Sequence, residues 1–232
     1  MKRSTVAILG DFIAANVKVA KSFLNWEGAF FLTVGLFLLF QEYFLAVDIS
    51  SIVSNHRFLA LYAQFTSSLL VANRFFATPF LAFCFYAILA GTSRGLPRRL
   101  CDIMGIYYFL RMVTLLFGLN ILIFDVSSSR FLLITQLLFF LPYSLLVWGW
   151  VYWRLDVFCL ASGRSLFKLE HETETPRVID YFVAAFSTAF SASISAIKGT
   201  SARSRILILV HGFMIYDILG LILSRAVALA HQ

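Results

Sequence analysis

The sequence predicts an all-α, polytopic transmembrane helical bundle, and three observations carry that class. Of 232 residues, 60% are hydrophobic and 13% charged, against about 45–50% and about 25% in soluble domains. The apolar residues gather in runs that reach or approach the roughly 20 residues needed to cross a hydrocarbon core as helix. The chain also lacks the succession of short alternating segments that marks an outer-membrane barrel. A formal net charge of +7 sits between the apolar runs rather than on one soluble face, which is how orientation signals are distributed, so a lipid membrane and no nucleic acid is the expected partner. Cys84, Cys101 and Cys159 show no CxxC or Cys/His spacing, and no metal or other cofactor is expected.

The first region, 1–25, begins MKRS like a signal peptide. Asp11, Asn16, Lys18 and Lys21 interrupt any apolar core and no small-residue cleavage site follows, so the segment is expected to stay on the chain. Val6, Leu9, Ile13, Val17, Ala20 and Leu24 recur at helical spacing. That pattern fits an amphipathic interfacial helix, and equally a partner-facing or fraying terminus.

Region 26–178 is expected to hold about four spans. Ala29–Val47 is the first, with Trp26, Glu27, Glu42, Tyr43 and Asp48 read as interfacial anchors. His56–Gly91 is long for one straight crossing and short for two, with Asn73, Arg74 and Pro79 midway. A surface or half-inserted helix over Phe58–Val71 followed by a span over Phe75–Ala90 is the favoured reading; one long tilted helix is the alternative. Arg94, Arg98 and Arg99 around Gly95 and Pro97 mark a basic loop. Met104–Phe124 is the next span and carries Arg111 and Asn120. A charge at membrane depth is costly, so Arg111 is expected to be paired, to snorkel, or to serve function. The short turn Asp125–Arg130 makes Phe131–Trp153 an antiparallel neighbour, and Trp148, Trp150, Tyr152 and Trp153 at its end read as an aromatic belt.

Arg154–Arg177 is the longest polar stretch. Its Glu170, His171, Glu172 and Glu174 lack a second ligand cluster and read as a solvated loop rather than a divalent-ion site. No HExxH, P-loop or GxGxxG motif and no internal repeat occurs, so no enzyme is expected.

The final region, 179–232, carries a resemblance. Asp180, Tyr181 and Phe182, then Phe186, Ser187 and Thr188, then Ile197, Thr200, Ser201 and Arg205 stand in register with the pore module of the potassium-channel superfamily. Ile206–Ala230 stands where that family has its inner helix. The match covers about fifty residues, and it implies a pore helix, a filter and an inner helix arranged in a homotetramer around a path for inorganic ions. Where the family has TVGYG, this chain has Ser191, Ala192, Ser193, Ile194 and Ser195, followed by Ala196. The missing glycines reach backbone angles that other residues adopt only at about 1–2 kcal/mol each, so potassium selectivity is not expected. Lys198 at the implied mouth would oppose cations.

Two further readings qualify that implication. Lys2, Arg3, Lys18 and Lys21, the Arg94–Arg99 loop and the basic residues from Arg154 to Arg205 fall on one face by span counting. The positive-inside rule makes that face cytoplasmic, opposite to the side from which potassium channels insert their filter. Either the count is off by one, or the loop is inverted, or Tyr181–Ile197 is a full span whose small hydroxyls bond back to the helix and whose alanines pack closely. Asp217, one turn from Gly220, would line a cavity in a tetramer or pair with Arg111 or Arg225 inside one subunit. The expected protein is therefore a multi-pass, homo-oligomeric ion channel of the inner or plasma membrane with an altered filter, the alternative being a non-conducting subunit that keeps the fold for assembly.

Overall fold

The computed structural model describes residues 26–51, 57–89, 98–124, 130–160, 163–169, 176–190 and 197–230. The expected interfacial helix over 1–25, the loop around Arg94, the acidic run Glu170–Glu174 and the filter-equivalent residues Ser191–Ser195 lie outside the described residues. Among the described residues, six helices and two short strands follow one another: α1 (Trp26–Ser51), α2 (Arg57–Leu89), α3 (Arg98–Phe124), α4 (Arg130–Leu160), β1 (Phe167–Leu169), α5 (Val178–Phe190), β2 (Ile197–Gly199) and α6 (Ala202–Ala230). Among the described residues, three helices are long and apolar enough to cross a membrane: Arg98–Ile121, Ile134–Leu160 and Ala202–Ser224. In α1 the described apolar stretch is Phe30–Phe44.

Side-chain pairs fix the directions of the helices. Asp102 at the start of α3 meets Arg154 near the end of α4 at 2.6 Å, and further along, the Tyr143 hydroxyl donates to the Tyr108 carbonyl at 2.7 Å. The two therefore run antiparallel, as their short connection predicts. Phe30 stacks on Trp150 with ring centroids 6.1 Å apart, while Gln41 donates to Gln136 at 2.7 Å, so α1 is antiparallel to α4 as well. Phe31 meets Phe80 edge to face, which sets α2 against α1.

α4 is the hub, with α1, α3 and α5 packed along it. Trp148 and Tyr152 are fully buried and Trp150 nearly so. This corrects the aromatic-belt reading for these three, while Trp153 stays half-buried: a helix surrounded on several sides turns part of its aromatic set inward, where ring pairs add to the burial itself. The break expected in His56–Gly91 is also corrected, because α2 runs unbroken from Arg57 to Leu89 with Pro79 inside it. Asn73 is buried and Arg74 exposed, so these polar residues lie on different faces of one helix rather than at a boundary between two. Proline is tolerated inside membrane helices where neighbours and local adjustment satisfy the freed backbone group.

The all-α class needs one amendment. β1 and β2 form an antiparallel pair with Phe167 opposite Gly199 and Leu169 opposite Ile197. The chain reaches β1 by closing α4 with two bonds, from the Arg164 amide to the Cys159 carbonyl at 3.2 Å and from the Gly163 amide to the Leu160 carbonyl at 2.9 Å. That is the Schellman pattern, and Gly163 holds the left-handed φ of 71° that it requires. Arg154–Leu160 thus ends a helix instead of opening the polar loop.

Candidate functional site

The stretch that resembles a pore module begins with a well-capped helix. The Asp180 carboxylate accepts from the Arg177 amide at 2.7 Å, the back-reaching half of a capping box, and a carboxylate in the first turn also suits the helix dipole. α5 has 13 residues, about 20 Å at 1.5 Å per residue, well short of a hydrocarbon core of about 30 Å. Ala184 and Ala185 are buried, and their small side chains let α5 lie close along α4, with the Phe182 ring against Gly149. The Thr188 hydroxyl bonds back to the Ala184 carbonyl at 2.8 Å, as expected of small hydroxyls in this segment.

Asp156, near the end of α4, ties both ends of this stretch together. It is fully buried. One carboxylate oxygen accepts from the Leu166 amide at 2.6 Å, the Phe167 amide at 3.2 Å and the Ser165 hydroxyl at 3.3 Å, and the other accepts from the Tyr181 hydroxyl. Burial, reinforced by the Asp156 carboxylate, pushes the Tyr181 phenol well above its ordinary range and keeps it a donor. The start of α5 and strand β1 are thereby anchored to the same end of α4. β2 pairs with β1, and the Thr200 amide donates to the Leu166 carbonyl at 3.0 Å. The chain therefore leaves along α5 and is back at its point of departure by Ile197. A continuous helical span over Tyr181–Ile197 is corrected by this geometry: the helix ends at Phe190 and Ile197 is in a strand.

Gly199 lets α6 start against the strand. A Cβ there would lie 2.7 Å from the Arg205 backbone nitrogen and 2.7 Å from the Ser204 hydroxyl oxygen, and the backbone atom cannot swing aside. Lys198, the residue expected at a pore mouth, is exposed on β2. It shares the basic end of the bundle with Arg154 and Arg98, both of which hold Asp102.

Arg111 is buried and bonds Glu42 at 2.6 Å, so its pairing is within the subunit and its partner is a residue the sequence placed at the interface. Glu42 is 4% exposed. The sequence held a clue, since the apolar residues Phe44, Leu45, Ala46 and Val47 continue past it and put it inside the run rather than at its edge. Next to Glu42 on α1, Gln41 bonds Gln136 on α4. Asp217 accepts from Asn120 at 2.8 Å, and Arg111, one of its two expected partners, pairs with Glu42 instead. Gly220 is exposed, with open space where a Cβ would stand. His211, which the sequence left unassigned, is fully buried, stacked on Trp148 with centroids 4.6 Å apart and bonded through Nδ1 to the Tyr152 hydroxyl at 2.8 Å. No group of His, Cys, Asp and Glu suited to a metal occurs among the described residues.

No family model, curated protein or solved structure matches the chain.

Proposed function

We propose that this chain is a multi-pass subunit of the inner or plasma membrane that assembles with copies of itself, as a tetramer, around a passive ion path. α6 lines the path and Ser191–Ser195 form its constriction. The observation that carries the reading is the half-length excursion of α5: a helix of 13 residues that leaves and returns at one end of the bundle, followed at once by a helix able to cross the membrane. Non-helical backbone at membrane depth is tolerated only where protein buries it or a water-filled cavity receives it. A re-entrant segment beside a spanning helix is therefore what a pore-forming assembly needs and what an isolated bundle does not.

The resemblance to the potassium-channel pore module supports the same assignment, with the glycines of its filter absent. Without those glycines the family's basis for potassium selectivity is missing from the sequence, so the proposed path discriminates little between potassium and sodium. The exposed apolar row Leu209, Phe213, Tyr216 and Leu223 on α6 gives each subunit a surface that lipid or a neighbouring copy must cover. The basic end, with Arg98, Arg154, Lys198 and Arg205, faces the cytoplasm by the positive-inside rule. The re-entrant segment then inserts from the cytoplasmic side.

One observation favours a second reading. Asp217 is held by Asn120 inside the subunit rather than standing free, which suits a non-conducting subunit that keeps the fold for assembly. Ion flux into liposomes carrying the purified protein separates the two. Conductance of monovalent cations with little preference between potassium and sodium, reduced or rectified by Asp217→Asn, is expected of the channel; a reconstituted oligomer that passes no ion contradicts it.

A further inference from the structure

At the basic end, where β2 meets the first two turns of α6, Ile197, Lys198, Gly199, Arg205, Ile208 and Leu209 line an open cavity of about 360 Å³. Its lining divides by chemistry. Lys198 and Arg205 supply two cations, both exposed, and among the described residues no carboxylate lies within ion-pair distance of either. The Arg205 guanidinium uses Nε on the Gly199 carbonyl at 3.3 Å, which holds the side chain against the strand. Ile197, Ile208 and Leu209 supply the apolar wall, and Leu209 is 68% exposed, opening onto the outer face of α6 that continues through Phe213 and Tyr216.

The depth of the cavity follows from the helix. The membrane-competent run of α6 begins at Ala202, so Arg205 stands in its first turn and Ile208 and Leu209 one turn deeper. The cations are at headgroup level and the apolar wall at the start of the acyl region. From this division we infer that the cavity is a binding site for an anionic phospholipid, its phosphate held by Lys198 and Arg205 and its acyl chain lying on Ile208, Leu209 and the outer face of α6. A free phosphate would use the cations and leave the apolar wall uncovered; a zwitterionic lipid would cover the wall but carry no net charge for two cations. The bound lipid braces the junction of β2 and α6, the point at which the re-entrant stretch hands over to the spanning helix. The inference rests on the membrane reading and not on conduction.

Thermal unfolding of the full-length protein in a neutral detergent tests it, with phosphatidylglycerol, phosphatidylcholine and inorganic phosphate as the added probes. Phosphatidylglycerol at about tenfold excess over its Kd should raise Tm by about 3–6 °C, with no comparable rise from the other two. Lys198→Gln, a change at an exposed strand position, should leave the lipid-free Tm in place and remove at least half of the rise. Lys198→Gln combined with Arg205→Gln should remove it entirely. Equal stabilisation by phosphatidylcholine overturns the headgroup assignment. Equal stabilisation by inorganic phosphate makes the cavity a free-anion site, and an undiminished rise in Lys198→Gln places the lipid elsewhere. Protein that stays soluble without detergent would instead refute the membrane reading itself.

Discussion

Arg111 and Glu42 show how a charge is kept inside a membrane helix. Each is almost wholly buried, and each neutralises the other at 2.6 Å. Removing one partner strands the other, which typically costs about 3–5 kcal/mol, whereas removing both leaves an apolar pair of similar bulk at little cost. Arg111→Met should therefore destabilise the protein strongly, while Arg111→Met together with Glu42→Met should recover most of the loss, as read by thermal unfolding in detergent. A double variant as unstable as the single one would show that Arg111 acts through something other than this pair. Arg111 itself was legible as an intramembrane charge needing a partner. Glu42 was not legible as that partner, because 69 residues separate the two and their meeting depends on how α1 is rotated against α3. Asp156 was missed for a related reason: it lies in a polar stretch, and only the folding of that stretch back onto α4 buries it.

At the scale of elements, the junction of β2 with α6 is tightly packed at Gly199. Gly199→Ala would force a methyl group to within 2.7 Å of the Arg205 backbone nitrogen. The strand and the helix must then separate, and an overpacked site of this kind costs typically about 1–3 kcal/mol. Limited proteolysis should show faster cleavage between 160 and 205 in Gly199→Ala than in the parent chain; unchanged cleavage would mean that the junction is looser than its geometry. Run length made α3 and α4 legible as helices able to cross a membrane, and Asp180 marked the start of α5. The two strands were not legible, since three residues each are too few for an alternating pattern to register. The unbroken course of α2 was hidden by Pro79, whose effect on a helix depends on neighbours that sequence does not display.

For the whole molecule, the arrangement is a bundle organised by α4, with an aromatic and aliphatic interior that holds a few polar side chains, Arg111 and Glu42 among them, and an apolar exterior. Leu138, Phe117, Phe213 and Leu209 are each more than three-fifths exposed, a surface that water would not tolerate in such extent. On the proposed reading lipid and neighbouring copies cover it, and the tetramer turns part of it inward along α6. The central claim is that the stretch from α5 to β2 enters and leaves at one end, so that α6 alone crosses after it. The most direct measurement is two-sided labelling with a membrane-impermeant maleimide in sealed vesicles, using a chain whose Cys84, Cys101 and Cys159 are replaced by serine. Ile179→Cys, Lys198→Cys and Arg99→Cys, all at exposed positions, would be introduced one at a time. The account predicts that all three react from the same, cytoplasmic, side. Reaction of Ile179→Cys and Lys198→Cys from opposite sides would contradict it, because the segment between them would then be a full crossing.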